Sequence, residues 1–305
     1  MSQPVARYGR PYTKQAAEFG DLERLLDEQL FRGYRPTEPL LQPDDEVVTL
    51  GSCFAANVAG ALQQHGMRVR VNRFHEEANS PLANALLLDY LIEREGSEAR
   101  SIFEPYIPLE TTEALLDPIR TARCLIFTVG VGITCYDRQT DKLVLRPNET
   151  PLERLRWDFP TPDESEQHLR HFMGRIRELN PKIQIVLTLS PVPLYRAITT
   201  PSAFVEDAIS KSHLRVAIHQ LFASDALPGV HYWPSFEAFR WVGPHVGGVY
   251  GQDDNNPRHA SKWMVNHVAS LFVKYFAAEA PAAAPSTGSY DEHHVCPLIQ
   301  SALPQ

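Results

Sequence analysis

Apolar residues recur along this chain at two spacings, and the two alternate. Short continuous runs rich in β-branched residues read as buried strands. They lie at 46–51, 68–71, 124–129, 182–189 and 230–233, and the run Cys124-Leu125-Ile126-Phe127-Thr128-Val129 is the clearest. Between them, apolar positions three and four apart predict amphipathic helices. Phe54, Val58 and Leu62 mark one over 54–65, with Gly66 as its stop; Ala85, Leu86, Asp89, Tyr90 and Glu93 mark one over 82–93. Further helices are expected at 164–179, 205–223 and 260–276, the last with Met264, Val268, Leu271, Phe272 and Tyr275 inward. A hairpin is expected over 136–145, turning at Asp137–Asp141, and loops over 147–162 and from 234 to Arg258. The stretch 96–120 shows no clear period.

Strands alternating with helices predict an α/β fold with a parallel sheet covered on both faces. Dinucleotide-binding and P-loop glycine motifs are absent, so a flavodoxin-like three-layer α/β/α sandwich is the expectation. The main domain is expected at 45–278. Residues 1–44 read as an extension packed on it, with Leu22, Leu25, Leu26, Leu30 and Phe31 on one helix face. The Ala/Pro-rich, then polar, stretch 279–305 reads as a disordered tail.

Charge narrows the possible partners. The net charge is −8 and the sequence has no basic stripe, which argues against nucleic acid and against an anionic membrane surface. No apolar run has the length of a membrane span. Residues 1–20 lack the apolar core of a secretory signal. The four cysteines, at 53, 124, 135 and 296, form no CxxC pair, and a reducing cytoplasm is the expected location.

Two stretches carry candidate chemistry. Gly51-Ser52-Cys53 is a strand-to-helix turn with two potential nucleophiles at a helix N-terminus. Free backbone N–H groups and the positive dipole end favour a thiolate and an oxyanion there. The second stretch is Asp253-Asp254-Asn255-Asn256-Pro257-Arg258-His259, where an acidic side chain can fix the tautomer of His259. A tight turn and an Asx-rich helix cap are the structural alternatives. Asn79 could donate its amide to an oxyanion, and Gly130, Lys211 and Ser235 stand where they could face the same site. His168 and His171 are three apart on a helix but have no third ligand in view, so no metal site is expected.

Leu50-Gly51-Ser52-Cys53-Phe54-Ala55 resembles the signature of the GSCFA family. The resemblance continues through 72–81, Phe127–Gly130, Leu189-Ser190-Pro191-Val192-Pro193, Ser210–Leu214, Tyr232–Glu237 and the Asp254…His259 block. That family is similar to SGNH hydrolases, which implies acyl-ester chemistry. Aligned on their Gly-Asp-Ser block, Cys53 takes the nucleophile position and Ser52 is its rival. The sequence departs from the SGNH pattern at three places. Gly132 stands where an oxyanion-binding Asn is usual, His75 at the second-block glycine, and Asp254 lies five residues before His259 instead of three.

The resemblance implies an O-acyl (acetyl) transferase or esterase acting on a carbohydrate or other small acyl substrate. It needs no cofactor, and acyl-CoA is a possible donor substrate. The competing class is a non-catalytic ligand-binding protein that keeps the fold.

Overall fold

The computed structural model describes residues 19–72, 79–224 and 227–278. Five strands form one fully parallel sheet: β1 (Glu46–Gly51), β2 (Arg68–Asn72), β3 (Cys124–Val129), β6 (Gln184–Leu189) and β7 (Val230–Tyr232). Their order across the sheet is β2-β1-β3-β6-β7. Counted within this sheet alone that is 2-1-3-4-5, the flavodoxin-like order, so the expected α/β sandwich is what forms. Every residue of β3 is buried, as a central strand covered on both faces requires.

Alternation along the strands feeds two cores. Val48, Leu50, Leu125, Phe127 and Val129 point to one face. There they meet α2 (Pro81–Glu93), α3 (Thr112–Thr121), α4 (Pro162–Leu179) and α5 (Ala203–Ser224) through Leu87, Leu116, Phe172 and Leu214. Val47, Cys124 and Ile126 point to the other. They meet α1 (Cys53–Gln64) and α6 (Lys262–Phe276) through Phe54, Val58, Met264 and Phe272. Helix starts are specified locally. Ser80 Oγ accepts the Ala83 N–H ahead of α2, and Thr161 with Glu164 forms a capping box on α4.

The segment before β1 completes the second core with Leu26, Phe31 and Leu41, all buried. It is fastened to the end of α6. The N–H groups of Leu40 and Leu41 donate to Phe276 O, and Ala278 N–H returns to Leu41 O at 2.8 Å. Asp27 also receives Lys274 Nζ at 2.6 Å and the Tyr275 hydroxyl. Tyr275, expected inward, therefore sits half-buried at the rim, and Phe276 takes the core place.

Two expected loops hold more structure than their sequence suggests. β4 (Thr134–Asp137) pairs antiparallel with β5 (Leu155–Asp158), inside the stretch read as a 147–162 loop. The expected return strand near 142–145 contributes only the Tyr136–Leu143 bridge. Asp137 does form the turn, accepting the Gln139 and Thr140 N–H groups. Four-residue strands between prolines carry too short an alternation to register. Likewise 234–258 contains the helical turns Ser235–Glu237, Ala238–Val242 and Gly243–Val246. His75, the 279–305 tail and Cys296 lie outside the described residues.

Candidate functional site

The order of the sheet reverses between β1 and β3, and ligands in open α/β sheets gather at the carboxyl ends of such strands. The β1–α1 corner lies at that point. Gly51 has φ of 129°, and a Cβ there would stand 2.1 Å from Thr128 O across the β1–β3 pairing, so only glycine fits. Ser52 is the N-cap of α1, its Oγ accepting the Phe54 N–H at 3.3 Å. The Ser52 backbone N–H donates to Thr128 Oγ1 at 3.2 Å, and its hydroxyl donates to Ser190 Oγ at 3.2 Å. Proton and lone pair of Ser52 are thus both engaged in holding the corner. Cys53 is the first residue of the helix and is half-buried. The other described thiols are sealed in: burial pushes Cys124 up to about 12 and Cys135 up to about 11.

The loop after β3 packs against this corner. A Cβ on Gly130 would lie 3.7 Å from the Ser52 Cβ and 3.6 Å from the Ser190 Cβ. Asn79 is buried beside the loop and accepts the Val131 N–H through its backbone carbonyl at 3.4 Å. Gly132 donates its N–H to Ser210 Oγ at 2.8 Å, and a Cβ there would approach Ser210 O to 2.8 Å. That contact explains the missing Asn: α5 passes too close for any side chain. Ser210 and Lys211 belong to a buried polar row on α5 with Glu206 and Asp207. Glu206 accepts the N–H groups of Ile198, Thr199 and Thr200, and Asp207 accepts that of Leu194. Lys211 Nζ donates to Gly130 O at 2.5 Å. Burial draws Lys211 down to about 8, against the pull of the Asp207 carboxylate.

The third component is the loop preceding α6. Tyr250 hydroxyl donates to Pro191 O at 3.0 Å, and Arg258 reaches Pro193 O at 3.5 Å while lying over the Tyr195 ring. The loop is thereby pinned to the segment after β6, whose first residue, Ser190, touches Ser52. Within it, His259 Nδ1 bonds Asp254 Oδ2. Asn256 Oδ1 accepts the Arg258 N–H at 3.1 Å, which turns its amide N–H toward His259 Nε2, also 3.1 Å away. Nε2 is then the acceptor, so Nδ1 carries the proton and donates it to Asp254. The His259 hydrogen bond, joined by the Asn256 N–H, holds the Asp254 carboxyl below the usual range. Asp253 is used differently, accepting the Lys262 N–H at the start of α6 at 2.8 Å.

The structure thus gathers the corner bearing Ser52 and Cys53, Gly130, Asn79 and Lys211 at the carboxyl edge of β1 and β3, and ties the Asp254–His259 loop to the neighbouring end of β6. Ser235 is not among them. It is fully buried, sharing its hydroxyl with Thr188 Oγ1 at 2.6 Å. Thr128, Ser190, Ser210 and Asn256 are positioning residues that sequence reasoning did not assign; Asn256, three before His259, was visible only as a spacing. Among the described residues no cluster of three His, Cys, Asp or Glu could hold a metal, and His171 instead pairs with Asp89 at 2.9 Å. Nor is any helix among them long and apolar enough to cross a membrane.

Among solved structures, the chain is similar to one named as a GDSL-like lipase from Parabacteroides merdae ATCC 43184. The TM-score is 0.45 at 12% identity, covering 78% of this chain and 98% of that one. It is also similar to the salicylyl-acyltransferase SsfX3 of a tetracycline biosynthetic pathway, with TM-score 0.38, 16% identity and coverage of 76% and 54%. A third is a Corynascus thermopiles (Myceliophthora fergusii) carbohydrate esterase family 2 enzyme, with TM-score 0.36, 15% identity and coverage of 79% and 67%. No curated protein matches. The model of the GSCFA family matches residues 108–272, more than half of the 305 residues. From β3 to α6 that match spans the Gly130–Gly132 loop, the polar row of α5 and the His259 loop, and the chain belongs to the GSCFA family.

Proposed function

We propose that this chain is an acyl-transfer enzyme in which Cys53 is the nucleophile, His259 the general base and acid, and Asp254 the group that orients His259. The observation that carries the reading is the fixed tautomer of His259, on a loop pinned to the segment that contacts the Ser52–Cys53 corner. Ser52 is the weaker nucleophile, because its hydroxyl caps α1 and bonds Ser190. A thiol at a helix N-terminus ionises more readily than an ordinary one.

In the first half-reaction His259 Nε2 exchanges the Asn256 N–H for the Cys53 proton, and the thiolate attacks the ester or thioester carbonyl. The acyl carbon–sulfur bond forms, the bond to the donor's oxygen or sulfur breaks, and His259 returns its proton to that leaving group. In the second, His259 takes the proton of a sugar hydroxyl or of water, the new oxygen attacks, and the released Cys53 sulfur recovers the proton. The Cys53 backbone N–H and the Asn79 amide are assigned to the oxyanion, since the Ser52 and Phe54 N–H groups already serve Thr128 Oγ1 and Ser52 Oγ and Gly132 has no side chain to offer. The acceptor class is carbohydrate, and an acyl-CoA is the donor a thiol nucleophile exchanges with most readily.

The test is turnover of p-nitrophenyl acetate and acetyl-CoA by Cys53→Ala, Ser52→Ala and His259→Gln. Loss of about 10²-fold or more in the Cys53 and His259 variants supports the reading. Full activity in Cys53→Ala removes it. A ligand-binding protein without chemistry, which the absent oxyanion Asn favours, predicts no turnover by the wild type.

A further inference from the structure

Lys211 is the one member of the α5 polar row whose charge the loop contacts do not explain. Ser210 needs only a hydroxyl for Gly132. Glu206 uses its carboxylate on the backbone N–H groups of 198–200, and Asp207 pairs with Arg240. Lys211 is 3% exposed, and among the described residues its ammonium makes one hydrogen bond, to Gly130 O, and no salt bridge. Burying an ammonium against a single carbonyl is costly, and a neutral donor would tie the loop as well. Gly130 lies directly beneath the Ser52 corner. The charges around Lys211 are Asp207 on its own helix, Arg240 from the segment after β7, and Cys53 from the corner; the last attracts the ammonium when ionised.

We propose that Lys211 is a positioning cation for the nucleophile: its ammonium, held under the β1–α1 corner by Gly130 O, stabilises the Cys53 thiolate without exchanging a proton with it. This rests on the reading of Cys53 as nucleophile. It assigns the cost of the buried charge to the ionised sulfur, while His259 still takes the Cys53 proton and returns it to the leaving group. A fixed cation in an enclosed, low-dielectric place acts on its neighbour far more strongly than one in water.

The experiment is the pH dependence of Cys53 alkylation by iodoacetamide, resolved from the other cysteines by peptide mass spectrometry. It is run on the full chain as wild type, Lys211→Met and Lys211→Arg. The expected wild-type midpoint lies below the ordinary thiol value of about 8.5. In Lys211→Met it rises by about one pH unit, so that alkylation at neutral pH falls about tenfold, and Lys211→Arg stays near wild type. An unchanged midpoint in a folded Lys211→Met protein overturns the proposal. A wild-type midpoint at or above about 8.5 overturns it without any variant. The two readings separate cleanly. A Lys211-dependent midpoint with turnover surviving Cys53→Ala keeps the ion pair and rejects the acyl-enzyme. Turnover lost in Cys53→Ala with a Lys211-independent midpoint does the reverse.

Discussion

Replacing Lys211 by Met should change how stability depends on pH, and the size follows from its enclosure. Burial brings this lysine from its ordinary 10.5 down to about 8. Between those two values the unfolded chain still binds a proton that the folded chain has released. Stability contributed by this group therefore rises with pH across that window, and the cost of the buried charge is fully felt below it. A difference of about 2.5 pH units is worth about 3 kcal/mol at 1.36 kcal/mol per unit. Lys211→Met removes that cost together with the bond to Gly130 O, and adds whatever packing change the thioether brings. Those other contributions do not titrate, and the Cys53 shift proposed above acts with the same sign, adding to the fall described next. The stability of the Met variant minus that of the wild type should thus fall by about 3 kcal/mol from pH 7 to pH 10.5. Urea unfolding followed by tryptophan fluorescence at several pH values measures it. A difference that is flat within about 1 kcal/mol would mean that Lys211 keeps an ordinary pKa and that its enclosure is not as described.

The remaining expectations concern the corner, the loop and the polar row. Gly51→Ala, strained at its positive φ and driven into Thr128 O, should cost about 3 kcal/mol or more in denaturant unfolding. Gly132→Asn, which restores the residue expected of an SGNH-like site, should destabilise by about 1–3 kcal/mol and gain no activity, since Ser210 O occupies the space. Asp254→Asn should leave the fold intact and lower turnover of p-nitrophenyl acetate by about 10²–10⁴-fold, because it no longer holds the Nδ1–H tautomer. Burial alone would raise the Glu206 pKa, but N–H donors from Thr199, Thr200 and Ile198 outweigh it and hold it below its ordinary 4.5. Its stabilisation is therefore present above that value and lost as the pH falls, so acid unfolding of Glu206→Gln should show less dependence on pH below about 4.5 than the wild type.

Much of this was legible in the sequence wherever burial imposes a period. β3 runs over the same residues that the apolar run marked, and Gly51-Ser52-Cys53 is the strand-to-helix turn expected of it. Parallel strands buried on both faces leave unbroken apolar runs that stand out from their surroundings. β5 was not legible because four residues between prolines hold too little pattern, and its partner lies across an intervening turn. Nor does the site's support follow from local spacing. Ser190 contacts Ser52 across 138 positions, and Ser210 meets Gly132 across 78. Only the sheet order and the close pass of α5 create those contacts. The Asp254–His259 bond is the opposite case: five residues apart in one loop, it was visible as chemistry before its geometry was known.

The clasp between residues 40–41 and 276–278 makes the two distant ends of the described chain a single mechanical unit. Trimming the molecule at the sheet, just before β1, would strip Leu26, Phe31 and Leu41 from their places against α6 and unhook that helix at its far end. Because α6 begins three residues after His259, slack introduced at the hook would travel along the helix to the imidazole, so the apparently dispensable segment before β1 acts as the anchor of His259.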